Sequence, residues 1–201
     1  MPTRIIPPAQ HRLMPWRNGG GRTAEIAFEP ADSPAGFRWR LSLAEVESDG
    51  PFSTFPGCCR TIMLLSGRGM ELTIVKPGAK PGIPPRTVRL DRPYEPFDFD
   101  GEAATSCRLV AGPVRDLNVI ADRSLQIDYR VAALDDADAM LEPAPVWLFT
   151  VLRGTAVIDI GRHLAVTEGE TAVITDEDDR APHLRGAEAD SLVYAVALRP
   201  R

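Results

Sequence analysis

The sequence predicts an all-β protein, and three observations carry that prediction. Short runs that are apolar or that alternate in polarity recur along the whole chain. Glycine and proline, 16 and 19 of the 201 residues, punctuate these runs and favour many turns over long helices. Helical periodicity is almost absent. A hydrophobic content of 44% and a charged content of 25% are those of a soluble globular protein, long enough for one large all-β domain or two small ones.

Taken in order, Met1 to Pro15 reads as an edge strand or extended arm limited by prolines. Gly19-Gly20-Gly21 then frees the backbone for positive φ and close approach. In the strand that follows, Ala24, Ile26 and Phe28 share one side, and Thr23 and Glu25 the other. In the next, Trp39, Leu41 and Leu43 lie opposite Arg38, Arg40 and Ser42. These two strands predict a sheet with one apolar face and a second face of convergent polar side chains. Gly50 to Gly57 is a proline-punctuated loop. Arg60–Leu65 and Met70–Val75 read as a hairpin about Ser66-Gly67-Arg68-Gly69. Lys76–Pro85, with four prolines and two glycines, is a loop.

Short strands follow at Thr87–Leu90, Pro96–Phe99, Thr105–Val110 and Leu117–Ala121, and alternation from Leu125 to Val131 adds another. Ala132–Leu141 is either one short helix or an acidic linker, ended by Pro143 and Pro145. Strands return at Val146–Leu152, Thr155–Ile160, His163–Val166, Thr171–Thr175 and Ser191–Leu198. This many short strands read as a sandwich or barrel.

A weak internal repeat sharpens the expectation. Ile62-Met63-Leu64-Leu65-Ser66-Gly67 followed by Met70-Glu71-Leu72-Thr73 resembles Phe149-Thr150-Val151-Leu152-Arg153-Gly154 followed by Ala156-Val157-Ile158-Asp159. Each copy then passes through a leucine to a second apolar strand, as a cupin barrel half does. The expected organisation is therefore two cupin-like barrels, 1–130 and 131–201, with the N-terminal arm able to pair with the second.

A net charge of −5 with dispersed basic residues argues against nucleic acid. The longest strongly apolar run, Val146–Leu152, is too short to span a bilayer, and the proline-interrupted N-terminus has no signal core. A cytoplasmic protein with no membrane partner is expected. Three cysteines in no CxxC or zinc spacing read as free thiols. The three histidines, His11, His163 and His183, include no His-x-His pair. Carboxylates alone suit iron, nickel or copper poorly, so neither a metal nor another cofactor is expected. His183, after Pro182 in a charged loop, reads as a surface residue.

Three segments together resemble the HutD/Ves family. They are Trp16-Arg17-Asn18-Gly19-Gly20-Gly21-Arg22-Thr23-Ala24-Glu25-Ile26; Trp39-Arg40-Leu41-Ser42-Leu43-Ala44 with Gly50-Pro51-Phe52-Ser53-Thr54-Phe55-Pro56-Gly57-Cys58-Cys59-Arg60; and Gly112-Pro113-Val114-Arg115-Asp116-Leu117-Asn118-Val119-Ile120. The last departs at Leu117, where the family more often has Phe. The resemblance implies a bicupin fold and an association with bacterial histidine utilisation, without implying a reaction.

The polar residues of these segments predict anion capture. Arg40 and Arg60 offer planar forks suited to carboxylates. Asn18, Thr23, Ser42 and Asn118 can orient a polar ligand, and the amides of Gly19 to Gly21 can add donors if their loop curls inward. Trp16, Phe52 and Phe55 supply apolar walls. The expected function is metal-free binding of a small anionic metabolite. The histidine link makes urocanate, formiminoglutamate and formylglutamate the candidates, and the role regulatory or accessory. A homodimer is expected by analogy with other cupins.

Three rival readings stand beside it. One is an isomerase or hydrolase using Glu25 or Asp116 as general base. Another is a protein–protein adaptor with a filled barrel and an exposed apolar patch. The third is purely structural: Arg40 paired with Glu25, Trp16 and Phe55 plugging a barrel end, Asn18-Gly19 as a hairpin turn, and Asp116-Leu117-Asn118 capping a turn.

Overall fold

The structure, a computed structural model, describes residues 3–80, 82–134, 139–175 and 181–201. These residues are all-β, and a single 3-10 turn at Pro8–Gln10 is the one helical piece among them. The chain divides into two compact units, Arg12–Arg123, and Met1–His11 with Ser124–Arg201. Strand β1 (Arg4–Ile6) belongs to the second.

The first unit contains β2 (Arg12–Pro15), β3 (Gly21–Pro30), β4 (Phe37–Val46), β5 (Gly50–Pro51), β6 (Cys58–Ser66), β7 (Met70–Val75), β8 (Arg86–Leu90), β9 (Pro96–Asp100), β10 (Ala104–Leu109) and β11 (Val114–Asp122). They form a six-stranded sheet, β2-β3-β4-β11-β6-β9, and a four-stranded sheet, β5-β10-β7-β8. One core cluster joins the two: Ala44, Val46, Ile62 and Leu64 from the first pack with Met70, Leu72, Ile74 and Cys107 from the second. A smaller cluster gathers Phe37, Cys58 and Ile120 with Phe28 and Phe55.

The second unit continues with β12 (Leu125–Leu134), β13 (Ala139–Met140), β14 (Val146–Arg153), β15 (Thr155–Asp159), β16 (His163–Thr167), β17 (Thr171–Thr175), β18 (His183–Gly186) and β19 (Ser191–Pro200). Its sheets run β1-β17-β14-β19-β12 and β13-β18-β15-β16. Trp147, Phe149, Val151, Ile174 and Val193 meet Ala156, Ile158, Val166 and Leu184 in its core. The N-terminal arm pairs here, Arg4 opposite Val173 and Ile6 opposite Thr171.

Several details differ from the sequence reading. The boundary at 130 would cut β12, whose ten residues pair continuously with β19. Of the helix or linker expected at Ala132–Leu141, residues 135–138 lie outside the described residues, and the chain on both sides is strand. The expected hairpin of Arg60–Leu65 with Met70–Val75 is not a paired hairpin. β6 pairs with β11 and β9, whereas β7 pairs with β10 and β8.

The chain instead turns a corner between sheets at Gly67, where φ is 101° and a Cβ would stand 2.7 Å from the Pro113 carbonyl oxygen. β14 and β15 part in the same way, so the repeat is one of placement, not of strand pairing. In β3 a register shift between Glu25 and Ala27 breaks the expected alternation, and Ile26 and Ala27 are both buried. His183 opens β18, a strand that polarity alone did not mark, and its side chain is exposed.

Candidate functional site

Three neighbouring strands of the six-stranded sheet build the site by register. Ile120 of β11 stands opposite Arg40 of β4 on one side and Arg60 of β6 on the other. One row along, Asn118 stands opposite Ser42 and Ile62; in the next, Asp116 stands opposite Ala44 and Leu64. Because alternate residues of a strand share a face, these rows stack on one side of the sheet. Trp39 and Leu41, on the other side of β4, are fully buried. Neighbouring strands lie about 4.8 Å apart, so the two arginines start about 10 Å from one another across β11.

This face borders a cavity of about 380 Å³. The structure places all nine expected ligand-contacting residues around it. Arg40, Ser42, Arg60 and Asn118 come from the sheet, Thr23 from β3, Trp16 and Asn18 from the glycine-rich loop, and Phe52 and Phe55 from the loop after β5. Arg17, Ala44, Pro51, Ser53 and Ile120 complete the lining. Three arginines and no Asp or Glu are among these residues, so the cavity carries a positive excess. Sequence reasoning passed over Arg17 and Ser53, though both lie in the quoted motifs. Ala44 and Ile120 carried no signal beyond their parity with Ser42 and Asn118.

Arg60 is tied down. Its Nε and Nη2 donate to Asn118 Oδ1 at 2.9 and 2.7 Å, and its guanidinium lies 4.9 Å from the Phe52 ring and 5.1 Å from Phe99. Asn118 Nδ2 in turn donates to Asp116 Oδ1. Burial pushes the Arg60 pKa down to about 10, opposed by Asp116 and reinforced by Arg40. Burial likewise pushes the Asp116 carboxyl up to about 6, against the pull of Arg60 and the Asn118 hydrogen bond.

Arg40 is held differently. Its guanidinium sits 5.0 Å from the Phe37 ring and 4.9 Å from the Phe55 ring. Its buried Nε has no hydrogen-bond partner, and no carboxylate among the described residues forms an ion pair with it. Burial lowers its pKa, and the charges of Glu25 and Cys58 act the other way. Phe37 and Phe55, whose ring centroids are themselves 6.0 Å apart, therefore cover one flank of the guanidinium, and no protein acceptor meets its Nε.

The walls and loop are ordered by local contacts. Trp16 Nε1 donates to Thr23 Oγ1 at 2.8 Å, and Trp16 meets Phe52 edge to face. The glycine-rich loop joins β2 to β3, which pair from Pro15 opposite Arg22. At Gly21 a Cβ would fall 2.2 Å from the Glu45 carbonyl oxygen, so only glycine lets β3 lie this close to β4. The glycine amides do not supply the expected donors. Gly19 N–H bonds the Trp16 carbonyl and Gly20 N–H bonds Asn18 Oδ1, and none of the three glycines lines the cavity.

Neither proposed general base touches the cavity. Glu25 lies 3.8 Å from Arg12 across β2 and β3, so the expected Arg40–Glu25 pair does not form. Asp116 is 0% exposed beneath Asn118. Asp116-Leu117-Asn118 belongs to β11 and caps no turn. Cys58, Cys59 and Cys107 form no disulfide, and Cys58 and Cys107 are buried. Among the described residues no group of three His, Cys, Asp or Glu is placed to hold a metal ion. No helix among them is long and apolar enough to cross a membrane.

Comparison with known proteins places these motifs. An uncharacterised 21.2 kDa protein in the hutC 3' region of Pseudomonas putida is 42% identical over 107 residues, 53% of this chain and 52% of that one. Protein Ves of Citrobacter koseri is 38% identical over 117 residues, 56% of each. The chain thus spans about half the length of the curated relatives it matches.

Among solved structures, HutD from Pseudomonas fluorescens superposes with a TM-score of 0.80 at 26% identity, covering 99% of each chain. A conserved protein of unknown function from Pseudomonas aeruginosa gives 0.83 at 28%, also covering 99% of each. Oxalate decarboxylase from Lactobacillus farciminis gives 0.73 at 8%, covering 98% of this chain and 86% of that one, a likeness of cupin-like fold alone. The HutD family model matches residues 8–192, and the chain belongs to the HutD family.

Proposed function

We propose that the first unit binds a small carboxylate metabolite and that the protein plays an accessory or regulatory part in histidine utilisation. The observation that carries this reading is the Arg40 guanidinium. It lies against two phenylalanine rings beside a cavity, with a buried Nε lacking any acceptor. A structural arginine would have been given a carboxylate or carbonyl, since a buried charged donor left unmet costs about 1–3 kcal/mol or more. A ligand carboxylate in the cavity would meet the part of Arg40 that lines it and supply the charge-assisted contact this guanidinium lacks.

The donor set is guanidinium, amide and hydroxyl, with neither imidazole nor carboxylate in the lining, which supports binding without a metal. The hutC 3' region relative and the HutD structure support the histidine link, and the latter was determined in a formate condition, formate being the simplest carboxylate. The same likenesses, with two sheets in each unit, support a bicupin architecture.

Titration calorimetry with urocanate, formiminoglutamate and formylglutamate tests the reading. Saturable binding of one of them supports it; a folded protein that binds none of them removes the histidine link. The hydrolase or isomerase reading draws on the raised carboxyl pKa of Asp116, but that residue reaches the cavity only through Asn118. Turnover of any of the three compounds, lost in Asp116→Asn, would favour it instead.

A further inference from the structure

We infer that Asp116 is the positioning residue of this cavity: acting through Asn118, it holds Arg60 in place and makes carboxylate affinity depend on pH. The inference rests on the carboxylate-binding reading above and assigns a role to a carboxylate that no ligand can touch. Asp116, Asn118 and Arg60 form one series. Asp116 Oδ1 accepts from Asn118 Nδ2, and Asn118 Oδ1 accepts from Arg60 Nε and Nη2. An ionised carboxylate only accepts and a guanidinium only donates, so the amide between them has one permitted orientation. Turned over, it would set NH₂ against guanidinium and oxygen against carboxylate. Asp116 therefore specifies which atom of Asn118 meets Arg60, and so where the second fork of the cavity lies.

The second oxygen of the carboxylate carries the pH dependence. Asp116 Oδ2 is buried with no hydrogen-bond partner. A proton can settle there without disturbing the Oδ1 bond to Asn118, so the series survives protonation. The surroundings offer little else to neutralise the charge. Across on β4 stands Ala44 and across on β6 stands Leu64. From β10, Cys107 interacts with Asp116, but burial pushes its thiol up to about 12, so it stays uncharged. Arg60 is the cation that faces Asp116; Arg40 repels Arg60, and Glu25 of β3 acts on Arg40 only at longer range, without an ion pair.

A ligand carboxylate in the cavity brings a second negative charge to compete for Arg60. It raises the proton affinity of Asp116, and a fraction of a proton passes from solvent to Oδ2 as the anion binds, most of it near about pH 6.5. By reciprocity, affinity rises as pH falls. A like charge at this range shifts a carboxyl by about one unit, which is about tenfold in affinity.

The test is calorimetry of the full chain with formylglutamate at pH 7.5, 6.5 and 5.5, in buffers of unlike ionisation enthalpy, for the wild type and Asp116→Asn. The expected result is about sixfold tighter binding at pH 5.5 than at 7.5, with proton uptake, and a flat profile in the variant. A flat wild-type profile, or a variant that keeps the wild-type slope, overturns the inference.

Nuclear magnetic resonance of the ligand-free wild type gives a readout that needs neither variant nor ligand. The Asp116 carboxyl carbon and the Asn118 side-chain amide should titrate together near pH 6. An Asp116 that titrates with ordinary carboxylates, or an Asn118 amide that does not follow it, overturns the inference. If that joint titration is seen but formylglutamate, formiminoglutamate and urocanate all fail to bind at every pH, the positioning by Asp116 is supported and the carboxylate reading is what falls.

Discussion

Replacing Arg40 with methionine should separate binding from stability. On the stability side, the substitution removes a buried Nε that has no acceptor, a relief of about 1–3 kcal/mol. It also removes two cation–π contacts, at 5.0 and 4.9 Å, worth about 0.5–1 kcal/mol each. Methionine is flexible enough to pack against Phe37 and Phe55 in its place. The terms roughly cancel, so unfolding free energy should stay within about 1 kcal/mol of wild type, or rise, a shift of about 2–4 °C in Tm for a chain this long.

On the binding side, the variant loses a charge-assisted contact worth about 3 kcal/mol, which is about 150-fold in Kd. The assays are urea unfolding and calorimetric titration on the same preparations. A loss of more than about 2 kcal/mol in stability with no change in affinity would refute the reasoning, because Arg40 would then be a structural residue.

Four further outcomes follow from the geometry. Asn118→Ala should destabilise the first unit by about 2–4 kcal/mol in urea unfolding, since it strands two Arg60 donors and one Asp116 oxygen in a buried site. Trp16→Phe should cost about 1 kcal/mol through loss of the 2.8 Å bond to Thr23, with ligand affinity falling as the wall loosens, read by calorimetry. Gly21→Ala should lower Tm sharply in thermal melts, because its Cβ would lie 2.2 Å from the Glu45 carbonyl and the β3–β4 register must shift to relieve it.

The fourth outcome concerns pH. The folded carboxyl of Asp116 sits at about 6, above its ordinary 3.8, so the folded chain holds that proton more tightly than the unfolded chain does. Its contribution to stability is full below about pH 4 and is lost as pH rises through about 6, by at most about 3 kcal/mol. Urea unfolding at pH 5 and 7.5 should show this fall in the wild type and a smaller one in Asp116→Asn.

Most of the strands were legible because a strand writes its own period of two into a few consecutive residues. Trp39 and Leu41 against Arg40 and Ser42 announced two faces, and the structure buries the first pair and sets the second beside the cavity. The segments Trp16–Ile26, Trp39–Arg60 and Gly112–Ile120 contained the lining residues because each contributes a strand or loop to one sheet face. Where local pattern was silent or misleading, a non-local contact was responsible. The extra residue in β3 that buries both Ile26 and Ala27 depends on how β3 meets β4. The passage of β6 and β7 into different sheets depends on partners contributed by β9, β10 and β11.

What the chain alone determined, then, is which residues are apolar, which carry forks and amides, and on which side of its own strand each one stands, since these are properties of a few neighbouring residues. Only the tertiary structure decided that β11 lies between β4 and β6, and so that Arg40 and Arg60 flank Ile120 while Asn118 joins Arg60 to Asp116. It also decided that Glu25 faces Arg12 and leaves Arg40 without a carboxylate. Strand order and register are set by packing between residues far apart in the chain, and a one-residue slip would send each of these side chains to the opposite face.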